Sequence, residues 1–235
     1  MKHLDTVRLP QLLPFTGVKF EPRQNTFYRS SIDAEKLIQA AREELAPAKP
    51  ERFKVFLLAV MVGLRRREID LLEWSSFRWE SGVIRIEPTR YFEAKREYSY
   101  ADFGVDPELM EIFRGYRARA TSDFVIESDV EPRPGATFEH YRCGSVFEKL
   151  IAWLREKRVP GSKPLHALRK EFGSQVNAKH GLYSASRALR HGNIEVTAQV
   201  YVDKRDRAAI GLGHLLKDDS PKITELKQFS EASGT

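Results

Sequence analysis

The sequence predicts an α+β domain that is mostly α-helical, with one small three-stranded antiparallel sheet. Apolar residues recur at helical spacing along most of the chain, whereas residues 75–103 change to short strand-like segments separated by turn residues. The chain has 235 residues, and 41% of them are hydrophobic. That length and composition are enough for one domain with a buried core.

In the first half of the chain, a helix is predicted from Asp33, with a stop near Pro47. The segment "ERFKVFLLAVMVG" predicts a buried helix ended by Gly63, and "RRREIDLLEW" predicts a short amphipathic helix. "SSFRWESGVIRIEP" predicts two strands joined at Ser81-Gly82, and "EYSYADF" predicts a third strand.

Helices follow over residues 107–119, 142–158 and 164–180, the last with Pro164 in its first turn and Gly181 as its stop. Two short helices are predicted near 184–190 and 194–204. Residues 1–30 show no period and are interpreted as a linker or arm, and the polar residues 217–235 as a flexible tail. The folded domain is therefore expected to span residues 31–216.

Composition excludes several classes of protein. The longest strongly apolar run, residues 55–62, is far shorter than the roughly 20 residues of a membrane-spanning helix, and the N-terminus has no secretory pattern. Cys143 is the single cysteine, so no internal disulfide or zinc site of the CxxC type is expected. Phosphate-loop, HExxH and GxSxG motifs are absent, so NTP hydrolysis, zinc proteolysis and serine esterase chemistry lack their best sequence signals. These observations favour a cytoplasmic protein without membrane contact.

Positive charge is concentrated in one part of the chain. Residues 141–210 carry 14 Lys and Arg against 6 Asp and Glu, in a chain whose net charge is +6. Such a region favours a polyanionic partner, because Lys and Arg displace counterions condensed on nucleic acid. A solvated helical surface is the alternative.

Two segments carry candidate functional residues. In "PLHALRKEF", His166 and Arg169 are three residues apart, so they share a helix face. A guanidinium beside an imidazole is suited to bind an anionic oxygen centre such as a phosphate. In "GLRRREIDLLEW", Arg65 follows Gly63 at a helix start, and Glu68 can hold its side chain. Taken alone, each pattern is also typical of an ordinary charged helix surface.

Four segments of the chain resemble motifs in the catalytic domain of the tyrosine recombinases, the phage-integrase family. In order along the chain they are "GLRRREIDLLEW", "EAKREYS", "HALR" and "LRHGNIEVTAQVY". The resemblance covers roughly residues 30–210 and implies the DNA breaking-rejoining fold. It implies site-specific DNA recombination, by integration or excision of a mobile element, on double-stranded DNA and as a tetramer on paired sites. No cofactor or metal is implied.

The resemblance also implies the site. The catalytic residues would be Arg65, Lys95, His166, Arg169, His191 and Tyr201, with Glu68 in support. Tyr201 would attack a phosphodiester and give a 3′-phosphotyrosyl enzyme. Because a phenol with a pKa of about 10 is protonated at neutral pH, His166 would accept its proton. The two arginines and His191 would stabilise the transition state, and Lys95, at a hairpin tip, would protonate the leaving 5′-oxygen.

The chain departs from the family pattern at three points. "LRH" replaces the usual "LGH", so Arg190 stands where glycine is common, and Gly192 is expected to absorb the bend. His191 and Tyr201 are one residue further apart than is usual. Residues 1–30 are too short for the core-binding domain that normally precedes the catalytic domain. The chain is therefore expected to be a fragment that binds DNA weakly alone.

Three alternatives stay open. A type IB topoisomerase-like enzyme would share the chemistry without strand exchange. A non-catalytic relative would bind DNA as a regulator, although it would not need a nucleophile. A basic helical domain that binds protein partners would lack the strong salt dependence of DNA binding.

Overall fold

The computed structural model describes residues 32–93, 100–133, 140–190 and 197–198. Across these ranges the chain forms six α-helices, a short 3₁₀ turn and three β-strands, which confirms the predicted mostly helical α+β class. The helices are α1 (Ala34–Glu44), α2 (Pro50–Val60), α3 (Arg66–Asp70), α4 (Pro107–Arg117), α5 (Gly144–Glu156) and α6 (Pro164–Ala188). The strands are β1 (Phe77–Arg78), β2 (Val83–Ile86) and β3 (Ala101–Gly104).

Helix α2 lies at the centre of the core. Every residue from Phe53 to Val60 is buried, and α2 packs against α1, α3, α5 and α6. Lys54 is the charged residue in this stretch; its Nζ donates to the Val125 carbonyl at 2.6 Å and forms an ion pair with Glu51 at 2.9 Å. A helix that is buried all round has to be enclosed by other elements. Helix α2 therefore determines where α3 and α6, which carry the candidate site, can lie.

The sheet is a three-stranded antiparallel one, as predicted, with β2 in the middle. The turn at Ser81-Gly82 joins β1 to β2, and Gly82 has a φ of +64°, which glycine adopts at little cost. Arg85 on β2 lies opposite Asp102 on β3 and donates two hydrogen bonds to its carboxylate, of 2.7 and 2.8 Å. The pair helps to set the register of the two strands whose connection contains Lys95.

Helix α6 extends to Ala188, but Gly181 interrupts it, in agreement with the stop predicted at this residue. Gly181 has a φ of +79° and interrupts the helical geometry, and a further helical stretch runs to Ala188. This last stretch corresponds to the short helix predicted near 184–190. The kink affects the site because it changes the direction of the helix, whose last residues lie beside the start of α3.

Helix α3 is shorter than predicted. It ends at Asp70, and the residues after it pair with another segment instead of continuing the helix: Val125 donates to the Leu72 carbonyl at 2.8 Å and Trp74 donates to the Asp123 carbonyl at 2.9 Å. The prediction of one helix through Trp74 was therefore wrong, since these tertiary hydrogen bonds replace the helical ones.

The remaining helices agree with the predictions to within a few residues. Only residues 197–198 of the helix predicted at 194–204 are described, and they are helical. The arm predicted for residues 1–30 and the tail predicted for 217–235 lie outside the described residues.

Candidate active site

The turn between α2 and α3 positions Arg65 beside α6. Gly63 has a φ of +70°, and the next residue, Leu64, donates its backbone N–H to the Leu58 carbonyl at 3.0 Å. A Cβ on Gly63 would clash with the ring of Phe172 on α6. Both the left-handed backbone and the close approach of α6 require glycine here.

Replacing Gly63 by alanine is expected to destabilise the protein by about 2 kcal/mol or more. The added methyl group meets the Phe172 ring and also forces an L-residue into the left-handed region. Urea unfolding measures the change. Gly115→Ala on α4 is the matched control, because no atom lies within 4 Å of the new Cβ and alanine favours a helix. Equal stability of the two variants would contradict the assignment.

A buried carboxylate holds Arg65. Glu68 Oε2 accepts the backbone N–H of Arg65 at 2.7 Å, and Glu68 Oε1 accepts from Arg65 Nη1 at 2.9 Å. Arg190, at the end of α6, donates to Glu68 Oε2 at 2.6 Å. The side chains of Glu68 and Arg190 are 3% and 2% exposed, whereas that of Arg65 is 37% exposed. Glu68 thus anchors one accessible and one buried guanidinium.

The ionisation of Glu68 depends on these arginines. Burial by itself would raise the pKa of Glu68, but the charge and hydrogen bond of Arg190 and those of Arg65 outweigh burial and lower it. A carboxyl group whose pKa is lowered on folding stabilises the protein above its unfolded pKa and loses that contribution as pH falls. Glu68 is therefore a carboxylate at neutral pH.

Arg169, on α6, hydrogen-bonds both to the segment before α3 and to the end of α6. It is 4% exposed; its Nη1 donates to the Gly63 carbonyl and its Nη2 to the Leu189 carbonyl. The carbonyl of the next residue, Arg190, accepts from Arg65 Nη2 at 3.3 Å. The segment before α3 and the end of α6 are therefore joined by both candidate arginines.

Arg190 itself adopts a left-handed backbone conformation at the position where glycine is common in the family pattern. Its φ is +50°, in the left-handed region, which costs an L-residue about 1–2 kcal/mol. The contacts of its side chain offset this cost: besides the Glu68 ion pair, its guanidinium lies 4.5 Å from the ring centre of Phe103 on β3. Gly192 lies outside the described residues, so the expectation that it absorbs the bend stays a prediction.

His166 lies one helical turn before Arg169, on the exposed side of α6. The pKa of His166 is lowered. The largest cause is that the surrounding protein displaces water that would stabilise the charged ring, and the positive charges of Lys170, Arg169, Lys163 and Arg65 add to the effect. The lowered pKa keeps the imidazole neutral at neutral pH, and neutral imidazole can accept a proton.

Four of the candidate residues line or support one cavity of about 620 Å³ between α3, α5 and α6. Within the described residues, its lining contains six basic residues and no carboxylate, together with apolar residues. The basic residues are Arg65, Arg66, Arg155, Lys163, His166 and Arg169. A cavity with this lining is suited to a phosphate group attached to a less polar sugar.

Structural comparison finds recombinases. The Tn1549 transposon integrase in complex with circular intermediate DNA is 16% identical, with a TM-score of 0.54, over 84% of this chain and 67% of that chain. XerA recombinase is 17% identical, with a TM-score of 0.54, over 79% of this chain and 62% of that one. A lambda integrase dimer bound to a core site is 16% identical, with a TM-score of 0.51, over 78% of this chain and 50% of that one.

The chain has the tyrosine recombinase catalytic fold. It spans between half and about two thirds of the length of these recombinases. No family model and no curated protein matches the sequence. The predicted fold is therefore confirmed by structure, at a level of identity where sequence comparison finds no relative.

Within the recombinase fold, the structure brings Arg65, Glu68, His166 and Arg169 together from α6 and the segment that starts α3. Lys95, His191 and Tyr201 lie outside the described residues, so their roles remain predictions. Across the described ranges, no group of three or more His, Cys, Asp or Glu could hold a metal ion, and no helix is long and apolar enough to cross a membrane.

Sequence analysis missed three residues of the site. Arg155 and Lys163 line the cavity, and Arg66 does so while its guanidinium lies 4.0 Å from the ring centre of Tyr141. Lys163 directly precedes the helix of His166, which was an available signal. The sequence contained no comparable signal for Arg155, because its position beside the cavity depends on how α5 packs.

If His166 accepts the phenolic proton, as the resemblance implies, the rate of DNA cleavage depends on the protonation of its imidazole. The second-order rate constant of cleavage is then expected to rise with pH through a midpoint below the ordinary histidine pKa and to level off, because only neutral imidazole can accept a proton. The Lys170→Gln variant should move this midpoint upwards, since it removes a nearby positive charge. Rate–pH profiles of the two proteins measure the shift, and coincident profiles would contradict the role of His166.

Proposed function

We propose that this chain is a site-specific DNA recombinase that cleaves and rejoins DNA through a covalent 3′-phosphotyrosyl intermediate on Tyr201. One observation carries the proposal: Arg65, His166 and Arg169 line the same cavity, and its described ionisable lining contains no carboxylate. This cavity lies in a fold shared with integrases and recombinases that were solved with DNA.

The proposed reaction is a transesterification. Tyr201 Oη attacks the scissile phosphorus, a new O–P bond forms, and the bond to the 5′-oxygen breaks. His166 accepts the phenolic proton and Lys95 donates a proton to the departing 5′-oxygen. The phosphotyrosyl bond keeps the energy of the original phosphodiester, so a 5′-hydroxyl can reverse the step without ATP.

Arg65 and Arg169 would stabilise the charge that develops on the non-bridging oxygens, with His191 adding a hydrogen bond. Each guanidinium has five N–H groups in a fixed fork. Two nitrogens of Arg169 already donate to the Gly63 and Leu189 carbonyls, which locks the orientation of the group. Donors held before the reaction begins need little reorganisation during it, and this is where their effect on rate arises.

The substrate would be double-stranded DNA, and the biological reaction the integration or excision of a mobile element by a tetramer on two paired sites. The Tn1549 integrase was solved with circular intermediate DNA, the lambda integrase as a dimer on a core site, and XerH recombinase with its difH substrate. These complexes support DNA as the partner class of this fold.

Covalent capture tests the proposal. The protein is mixed with a random library of nicked duplexes, in which cleavage releases a short fragment and blocks rejoining. Adducts that survive SDS are isolated and their DNA is sequenced, with Tyr201→Phe in parallel. Tyr201-dependent adducts that share a DNA sequence are the expected result.

Other outcomes favour the alternative functions. Intact DNA binding without an adduct, also after a core-binding domain is fused in front, would favour a non-catalytic DNA-binding relative. Adducts without sequence preference, together with relaxation of supercoiled DNA, would favour a topoisomerase-like enzyme. DNA binding that does not weaken with salt would favour a protein-binding domain.

Lys163 and Arg155 are expected to bind DNA phosphates beside the reacting one. Both line the cavity and both are exposed. Lys163→Gln and Arg155→Gln should each weaken DNA binding for all sequences alike and reduce the slope of log K against log salt by about 1. Titrations at several salt concentrations measure the slope. Arg114→Gln on α4, outside this cavity, is the matched control and should leave the slope unchanged; equal slopes for all three variants would contradict the prediction.

A further inference from the structure

We propose that Arg190 is a positioning residue for the cleavage reaction: it holds Arg65 through Glu68 and fixes the backbone from which His191 follows. This inference rests on the proposed function, because the reaction it serves is the one proposed above. Arg190 would not touch DNA; it would act through Arg65 and through the direction of the chain.

The first observation is the ion pair at Glu68. The carboxylate accepts from Arg190 Nη2 on Oε2 at 2.6 Å and from Arg65 Nη1 on Oε1 at 2.9 Å, so each guanidinium occupies its own oxygen. Arg190 is the buried partner and Arg65 the more exposed one. Without Arg190, Arg65 would be the remaining partner of Glu68 and would be drawn towards both oxygens, away from the cavity.

The second observation is the backbone around Arg190. The carbonyl of the preceding residue, Leu189, accepts from Arg169, and the carbonyl of Arg190 itself accepts from Arg65 at 3.3 Å. Two consecutive carbonyls are thus held by the two arginines proposed to bind the phosphate. The φ of +50° at Arg190 directs these carbonyls, and the next residue in the sequence is His191.

The third observation is the contact with the sheet. The guanidinium of Arg190 lies 4.5 Å from the ring centre of Phe103, which is on β3. Strand β3 follows the connection that contains Lys95. Arg190 therefore contacts both the helix that carries Glu68 and the strand that follows Lys95, and a glycine at this position could contact neither.

A purely structural role makes a different prediction. If Arg190 only balanced the charge of Glu68 so that the protein folds, activity would follow stability in every variant. If Arg190 positions Arg65, a variant can regain stability without regaining its rate. Glycine at position 190 separates the two, because glycine adopts positive φ freely but supplies no guanidinium.

The test compares the wild type with Arg190→Met and Arg190→Gly on the nicked duplex best captured by the wild type. Three quantities are measured: the single-turnover rate of adduct formation at saturating protein, the Kd for DNA and the melting temperature. Arg114→Met, which removes an exposed arginine on α4, is the charge-matched control. The double variant Glu68→Gln/Arg190→Met removes both buried charges, so it tests the role even if Arg190→Met fails to fold.

We expect a rate about 10- to 100-fold lower in both Arg190 variants and in the double variant, because small displacements of a catalytic group have effects of this size. The Kd should change no more than in Arg114→Met. The glycine and double variants should melt at higher temperature than Arg190→Met yet remain slow. Wild-type rates in Arg190→Gly, or rates that return with the melting temperature, would overturn the positioning role alone. A wild type without Tyr201-dependent adducts would overturn the proposed function itself.

Discussion

Replacing Tyr201 by phenylalanine is expected to abolish the covalent protein–DNA adduct while DNA affinity stays close to that of the wild type. The substitution removes one oxygen atom, the proposed nucleophile, and leaves the basic cavity of Arg65, His166 and Arg169 intact. Adduct formation should fall below detection, since no other group would occupy the attacking position. SDS gel analysis of the captured duplex and a binding titration measure the two quantities.

Tyr183 offers a matched control. It is 66% exposed on α6, near the end of the helix that leads to Arg190, and the guanidinium of Arg187 lies 6.0 Å from its ring centre. Tyr183 is exposed and near a cation but does not line the cavity, so it tests whether an accessible tyrosine elsewhere can form the adduct. Tyr183→Phe should form adducts at the wild-type rate. Adducts that persist in Tyr201→Phe and disappear in Tyr183→Phe would reassign the nucleophile.

Most of the fold could be predicted because its signals are local. The apolar run of α2, the proline in the first turn of α6 and the turn at Ser81-Gly82 each restrict the backbone within a few residues. The central position of α2 follows from the same run, because a helical stretch that is apolar on nearly every side has to be enclosed. These features need no knowledge of distant segments.

The end of α3 could not be predicted, because distant residues determine it. The carboxylate of Asp70, the last residue of α3, accepts the backbone N–H groups of Arg142 and Cys143 at 3.0 and 2.7 Å, which are more than 70 positions away. The following residues pair with the segment around Val125. A pattern of apolar residues contains no information about such partners.

The candidate site likewise contains residues that local sequence patterns predict and residues that they do not. The spacing of His166 and Arg169 and the position of Glu68 after Arg65 are local in sequence, and the structure places these four residues close together. The role of Arg190 is not local. In sequence it is the replacement of a glycine, and its ion pair with Glu68 connects positions 122 residues apart.

The structure also gives Arg169 a second role that affects how its variants should be interpreted. Sequence analysis assigned both arginines only to the phosphate. Arg169 is buried and satisfies two carbonyls, whereas Arg65 is partly exposed and is held by a carboxylate. Loss of activity in an Arg169 variant therefore combines chemistry with folding, and Arg65 is the better probe of the chemistry.

Arg65→Ala and Arg169→Ala are both expected to slow adduct formation about 10²- to 10³-fold, equivalent to roughly 3–4 kcal/mol of transition-state stabilisation. Their effects on folding should differ. Arg169→Ala leaves the Gly63 and Leu189 carbonyls without this donor and should lower the free energy of unfolding by about 2 kcal/mol or more. Arg65→Ala removes a partly exposed ion pair and should cost less than about 1 kcal/mol. Single-turnover rates and urea unfolding measure the two effects.

The rates have to be measured at a temperature where Arg169→Ala is folded, so that the loss reflects chemistry and not an unfolded fraction. Arg114→Ala, which removes an exposed arginine on α4, should match the wild type in rate and stability. DNA binding by both site variants should survive, because other basic residues, including Lys163 and Arg155, still line the cavity. Near-normal cleavage by both Arg65→Ala and Arg169→Ala would refute the proposed site. A slow but fully stable Arg169→Ala would instead show that the two carbonyls find other donors, and Arg169 would then act on the phosphate alone.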